Sequence, residues 1–250
     1  MPGRGAWSVK GRGGTLAYGP DGTTRPGPYY MKASTGKRLV GAGGWESPNA
    51  NRRAVHGAVL AYQAALNAAL PKLGLKIDGK FGQRTGEAVT AWQQRQPKEA
   101  DISVWGGIGP STSQGLLMPT LRATVHPDLV QVVCGLITQE SSWDAGAVGW
   151  VDMHDVGLAQ INARAHPDMS EKQRLDPGVC FKFVEGYLNT ALDALGRNLR
   201  DAIASYNLGI GGARSWINAG RPDIWTPSGA SSSRNVKAYI NTILSACSPT

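Results

Sequence analysis

Between Leu129 and Glu140, the residues Leu129, Val133, Leu136 and Ile137 recur at three- and four-residue spacing, and the next member of the series is an acid. At 3.6 residues per turn these five side chains share one face, so the segment should be a helix whose apolar stripe ends on Glu140. A carboxyl in that position is either a solvated group at a helix end or one held half out of water. In the second case desolvation raises its pKa and keeps it protonated near neutral pH, ready to protonate a leaving group. A rise of roughly two units corresponds to about 2.7 kcal/mol. Most Glu side chains are solvated, so periodicity alone leaves both readings open.

Three strings around this helix narrow the choice. Glu140-Ser141-Ser142-Trp143 is followed by Asp155-Val156-Gly157-Leu158-Ala159-Gln160-Ile161-Asn162, and later by Ala204-Ser205-Tyr206-Asn207-Leu208-Gly209. Together they resemble the SLT-type lytic transglycosylases of the lysozyme-like superfamily. That family has a Glu-Ser pair closing a helix, then Gly-Leu-Met-Gln-Ile, then Ala-Tyr-Asn-Ala-Gly. Ala159 stands where Met is usual and Leu208 where Ala is usual, both apolar exchanges. The resemblance covers about residues 127–246, and three motifs in order make a stronger signal than any one of them.

The resemblance implies a lysozyme-like helical catalytic domain over 122–250 acting on the glycan strands of peptidoglycan, with Glu140 as catalytic acid. Gln160 would point into the groove, where an amide can donate and accept at once. Gly157 would let the backbone approach the saccharide. Ser141 could bond to the acid or to substrate, or simply satisfy the helix end. Tyr206 would help hold Glu140, and Asn207 would stand beside it at the substrate. Asp155 is the discriminating residue. The stretch around it also resembles that of c-type lysozymes, where the Asp is catalytic, yet similar strings occur in transglycosylases that do not hydrolyse. A retaining hydrolase would hold the two carboxyls about 5 Å apart. Asp155 is therefore either a second catalytic carboxylate or a turn and hydrogen-bonding residue.

The rest of the chain bounds this reading. At 250 residues with a net charge of +8, there is room for one large domain or two small ones. No run of eighteen apolar residues suggests a membrane span, and Met1 to Trp7 lacks the apolar core of a signal peptide. A wall enzyme of this kind is expected to reach its substrate as phage proteins do, through lysis or within a virion. Cys134, Cys180 and Cys247 are an odd set, which rules out a complete internal disulfide framework. Cys134, inside the apolar helix, reads as a core residue. No Cys or His spacing suggests a metal site, none of His56, His126, His154 and His166 reads as a ligand, and no cofactor is expected.

Residues 1–54 form a Gly- and Pro-rich extension holding nine Lys or Arg against two acids, whereas the remainder is nearly neutral. Coil with one or two β-hairpins is expected there, from the runs Thr15–Tyr18 and Tyr29–Met31 between turn residues. Such a segment could attract anionic wall polymers, dock onto phage virion proteins, or be a solvated extension. No nucleic-acid module accompanies the charge, so a nucleic-acid partner is not expected.

Residues 55–121 read as a small helical module. Val59, Tyr62, Gln63, Leu66 and Leu70 form a stripe, and Asp78-Gly79-Lys80-Phe81-Gly82-Gln83-Arg84-Thr85 partly repeats as Gly107-Ile108-Gly109-Pro110-Ser111-Thr112. Each copy offers a Gly turn, an inward apolar residue and a Thr that caps or begins a helix. The pair resembles the three-helix peptidoglycan-binding type 1 domain, the second copy departing with Trp105-Gly106 in place of Asp-Gly. Phe81, Ile108 and Trp92 read as core. A linker over Pro119–Pro127 should follow, then helices starting at Pro127 and Asp176-Pro177, a helix presenting Tyr206 and Asn207, a Gly-rich turn, a Pro- and Ser-rich mobile loop over 221–234 and a closing helix. Asp152 and His154 read as solvated loop residues.

The whole reads as a mainly α, muralytic enzyme that cuts between N-acetylmuramic acid and N-acetylglucosamine, closing a 1,6-anhydro ring. The rivals are a hydrolase using Glu140 with Asp155, and an inactive structural or wall-binding protein.

Overall fold

Side-chain caps set the starts of several helices. The computed structural model describes residues 15–18, 24–27, 31–32, 37–38, 48–100, 102, 106–149, 154–227 and 233–246. Within them the protein is mainly helical, with eight α-helices and short two-stranded ribbons. In the basic extension, β1 (Thr15–Tyr18) pairs antiparallel with β2 (Thr24–Gly27), and β3 (Met31–Lys32) with β4 (Lys37–Arg38), two hairpins as the turn residues suggested. Tyr29, Tyr30, Trp105, Asp152 and Cys247 lie outside the described residues.

The chain divides into two compact units, residues 1–123 with 140–180, and residues 124–139 with 181–250. In the first unit, α1 (Pro48–Ala69) begins ahead of the expected position at Val55. Proline is tolerated in a first turn, and Ala54 brings the added segment to a core. Ala54 is fully buried with Val156 and Leu175. A Cβ on Gly57 would lie 3.0 Å from Leu175, and one on Gly146 would lie 3.0 Å from the Ala54 carbonyl and 3.1 Å from Ala58. Residues 54–58 of α1 thus pack backbone-close against the segment that follows Glu140.

The repeat is one hydrogen-bonded device built twice. Buried Gln63 donates Nε2 to Asp78 Oδ1 and the Lys80 carbonyl, both at 3.1 Å, and to Thr85 Oγ1 at 3.2 Å. Its Oε1 accepts from the backbone of Asp78 and of Gly79, both at 2.9 Å. Buried Gln93 serves the second copy, donating to the Gly107 carbonyl at 2.8 Å and Thr112 Oγ1 at 3.1 Å, and accepting from Gly106 N–H at 3.0 Å. Gly79 and Gly106 are left-handed, with φ of 69° and 73°, where glycine has no steric cost. Phe81, Ile108 and Trp92 are buried, as expected. The two Thr sit in the first turns of α2 (Gln83–Gln93) and α3 (Pro110–Thr124) and bond to the glutamines, so they begin helices and do not cap them. The Lys80 N–H and the Gln63 amide hold the Asp78 carboxyl below its ordinary value.

The expected linker at 119–127 is mostly helix. α3 continues through Pro119 to Thr124. A proline inside a helix costs about 3 kcal/mol, and burial of Leu116, Leu117 and Leu121 offsets it, at about 1.5–3 kcal/mol per side chain.

α4 (Pro127–Ser141), which belongs to the second unit up to residue 139, starts where its Pro-Asp signal predicted and buries Val132 to Ile137. Gly135 admits the Ile243 carbonyl so closely that an added Cβ would lie 2.1 Å from it. α6 (Pro177–Ala194) starts at the Asp176-Pro177 signal, with Asp176 Oδ1 accepting from Val179 N–H at 3.0 Å. Phe181, Val184 and Leu188 are fully buried. α7 (Leu199–Asn218) kinks at Gly209, where φ is 72° and ψ 158°. α8 (Val236–Ser245) closes the unit, capped by the Asn235 side chain. The proposed mobile loop begins under restraint. Arg221 makes a bidentate pair with buried Asp201 at 2.9 and 2.7 Å, and β7 (Ile224–Trp225) pairs with β8 (Arg234–Asn235). Residues 228–232 lie outside the described set.

Cys134 is buried and disulfide-bonded, which its reading as a plain core residue did not anticipate. Cys180 is a free, buried thiol whose pKa burial pushes up to about 12, so it stays protonated and unreactive. No helix among the described residues is long and apolar enough to cross a membrane.

The entry to α4 rests on Glu185 of α6. Glu185 Oε1 accepts from the His126 backbone N–H at 2.7 Å, and Oε2 meets Lys182 at 3.0 Å. These two contacts hold its carboxyl below the ordinary 4.5. A carboxyl lowered by folding stabilises the fold above that ordinary value, and the contribution disappears as pH falls through the lowered one. Glu185→Gln is expected to lower stability by about 1–2 kcal/mol at neutral pH. Urea unfolding of both proteins should show the gap closing on acidification.

Candidate active site

α4 presents Glu140 half-buried in its last turn, one residue after Gln139. The helix ends because Ser142 and Trp143 both adopt left-handed backbone, with φ of 52° and 65°. Two such non-glycine residues cost about 2–4 kcal/mol together. Burying an aromatic of 150–250 Å² returns about 4–6 kcal/mol at 25 cal/mol/Å², and Trp143 is 1% exposed. Behind it, Asp144 N–H donates to the Ser141 carbonyl at 3.0 Å, and buried Asp144 accepts from Gly146 N–H at 2.9 Å. The turn that fixes the direction of the chain after Glu140 is therefore strained and held.

The motif from Asp155 to Asn162 is a tight ribbon, β5 (Asp155–Val156) against β6 (Ile161–Asn162). Asp155 is half-buried and its Oδ1 accepts from Asn162 Nδ2 at 2.8 Å, directly across the pair. The turn and hydrogen-bonding reading of Asp155 thus has a partner. Gly157 has φ of 75°, and an added Cβ would stand 2.1 Å from the Arg174 carbonyl. A close approach that requires glycine here is made by the chain's own backbone at Arg174. Gln160 is half-buried and left-handed (φ 49°), and its Nε2 donates to the Gly157 carbonyl at 2.9 Å. Leu158, Ala159 and Ile161 are core.

Arg174, which sequence reasoning passed over, secures this ribbon. It lies in the short helix α5 (Glu171–Arg174), is 8% exposed, and donates Nη1 to the carbonyls of His154 and Ile161 at 2.9 and 3.3 Å. His154, read as a solvated loop residue, lies outside any helix or strand just before β5 and is half-buried, and its carbonyl is the one Arg174 holds.

In the second unit, Tyr206 and Asn207 occupy α7 just before the Gly209 kink. Tyr206 is half-buried and meets the ring of Tyr187 edge to face, with centroids 5.2 Å apart. Tyr187 donates its hydroxyl to the Ser205 carbonyl at 2.6 Å, and burial raises its pKa. Asn207 is exposed, and Arg234 Nη1 donates to its side-chain oxygen at 2.6 Å and also to its backbone carbonyl. Asn207 and Arg234 border a cavity of about 340 Å³ with Gln139, Tyr239 and Thr242. Tyr187, Arg234 and the cavity wall carry no local motif, so only the pairing of α7 with β8 and α8 reveals them.

The first unit therefore holds Glu140, Ser141, Asp155, Gly157 and Gln160, and the second holds Tyr206 and Asn207. The chemistry on offer is a candidate acid at Glu140, a second carboxyl at Asp155, amides suited to sugar hydroxyl or acetamido groups, and a guanidinium beside a cavity. Among the described residues no cluster of three His, Cys, Asp or Glu forms a metal-binding group.

No curated protein and no solved structure matches the chain. A family does: residues 121–223, the stretch bearing Glu140, the Asp155–Asn162 ribbon, Tyr206 and Asn207, match the Transglycosylase SLT domain, which supports a peptidoglycan-degrading, glycosidase-type activity for this part of the chain.

Proposed function

We propose that the protein is a peptidoglycan lytic transglycosylase that cleaves the N-acetylmuramic acid to N-acetylglucosamine bond. The observation that carries this reading is a half-buried Glu140 ending a helix within the stretch that matches the SLT domain. Glu140 protonates the glycosidic oxygen as the bond breaks. The acetamido group of the muramic residue stabilises the cationic centre. Glu140, now a carboxylate, takes the proton of the muramic 6-hydroxyl, whose oxygen closes on C1 as a 1,6-anhydro ring. No water is consumed, and the acid is regenerated. Gln160 and Ser141, in the same unit as Glu140, bind and orient the strand, which matters because orientation contributes more than proximity alone.

Two features bear on the alternatives. The hydrogen bond from Asn162 gives Asp155 a structural occupation, which favours a single-carboxylate mechanism over a hydrolase with Asp155 as second group. The repeat in 55–121 keeps the pattern of a wall-binding module, and the basic extension suits anionic wall polymers or a phage particle. Muropeptide analysis tests the reading. Anhydro ends that persist in Asp155→Asn support it, whereas reducing ends that vanish in that variant favour the hydrolase.

A further inference from the structure

Two hydroxyl groups far upstream of Glu140 grip the turn that follows it. Ser113 Oγ of α3 donates to the Trp143 carbonyl at 2.5 Å. Tyr62 OH of α1 lies 2.9 Å from Ser113 Oγ and 3.4 Å from the same carbonyl, and it accepts from Ala145 N–H at 3.3 Å. Each hydroxyl has one proton, and the short Ser113 contact fixes an assignment that satisfies these groups. Ala145 N–H donates to Tyr62, Tyr62 donates to Ser113, and Ser113 donates to the Trp143 carbonyl. Both side chains are nearly inaccessible, at 1% and 0% exposure, so water does not compete for these bonds.

The gripped carbonyl belongs to the second of two consecutive left-handed residues, Ser142 and Trp143, which begin two positions after the acid. Backbone in that region persists only where its surroundings over-determine it. The surroundings here are α1 and α3. α1 is itself seated against the same segment through Ala54, Gly57 and Ala58 facing Gly146 and Leu175. Glu140, the turn, Tyr62 and Ser113 all belong to one compact unit.

We propose that Tyr62 and Ser113 are positioning residues for Glu140: by clamping the Trp143 carbonyl they fix the turn that aims the acid. The helical segment 55–121 is then a working part of the catalytic apparatus, in addition to any contact it makes with the wall. The inference rests on the reading of Glu140 as the acid.

The test compares wild type, Tyr62→Phe, Ser113→Ala, Ser113→Thr and Glu140→Gln in the full chain, with kcat and KM measured on soluble uncrosslinked glycan strands. Misplacement of a reacting group by about 1 Å can cost about 100-fold, so Tyr62→Phe and Ser113→Ala should each lose about 10- to 100-fold in kcat with KM held within about two-fold. Ser113→Thr, which restores the hydroxyl, should recover most of that loss. Circular dichroism melting confirms that each variant is folded at the assay temperature. Hydrogen exchange on the wild type gives a second readout that needs no variant: the Ala145 amide should exchange slowly. Folded Tyr62→Phe and Ser113→Ala proteins with wild-type kcat beside an inactive Glu140→Gln overturn the clamp alone, as does rapid exchange at Ala145. An active Glu140→Gln overturns the assignment of the acid, and the clamp with it.

Discussion

Glu140→Gln is expected to lose about 10²- to 10⁴-fold in wall-clearing rate, the range that general acid-base catalysis supplies. The substitution keeps the length and shape of the side chain and replaces the ionisable carboxyl by an amide that neither gives up nor takes a proton at neutral pH. Glu140 is half-buried at the end of α4, with Leu136 and Ile137 one turn back in the core. The apolar stripe that seats the helix is untouched, so stability should change by less than about 1 kcal/mol. Turbidity loss of purified sacculi, with a parallel thermal melt, separates the two quantities. In the proposed mechanism the same group acts first as acid and then as base, so no residual turnover of normal rate is expected from another side chain.

Gly157→Ala carries the largest expected loss of stability. The residue sits at φ 75°, and the added Cβ would lie 2.1 Å from the Arg174 carbonyl oxygen and 3.4 Å from Leu175 Cα. Neither neighbour is a flexible side-chain tip. Nor can Gly157 swing aside, because its N–H donates to the Ala147 carbonyl at 2.8 Å and its own carbonyl accepts from Gln160. The left-handed backbone costs about 1–2 kcal/mol for alanine, and forced displacement of packed backbone about 1–3 kcal/mol more. Urea denaturation should therefore show a loss of about 2–5 kcal/mol. Gly196→Ala is the control. Its φ is 70° but nothing lies within 4 Å of the added Cβ, so only the about 1–2 kcal/mol backbone cost should appear. Equal losses at the two positions would show that the contact with Arg174 contributes nothing.

Residues whose signal is local were legible in the sequence. Pro127 and the Asp176-Pro177 pair announced α4 and α6, because proline at a first helical position and a side-chain cap act within a few residues. The apolar stripe ending on Glu140 and the paired Gly turns of the repeat were visible for the same reason. Features made by distant partners were not. The start of α1 at Pro48 was hidden in a stretch dominated by Gly, Pro and positive charge, where Ala54, Gly57 and Ala58 give little hydrophobic signal. Their value is small size, which shows only once Gly146 and Leu175 stand opposite. Gln63 was visible only as one member of the stripe of α1 and Gln93 carried no signal, yet each is buried and organises a glycine turn. Arg174, Tyr187 and Ser113 act on carbonyls 20, 18 and 30 positions away. Asp155 shows the opposite limit. Its motif was plain, but the motif is shared by two chemistries, and the partner that favours one of them, Asn162, lies across a ribbon that a string of letters does not display.

Mass spectrometry of the muropeptides released from purified sacculi tests the central claim most directly. The account predicts fragments ending in 1,6-anhydro-N-acetylmuramic acid from the wild-type protein and none from Glu140→Gln. Reducing N-acetylmuramic acid ends from the wild type, or anhydro ends at undiminished yield from the variant, would contradict it.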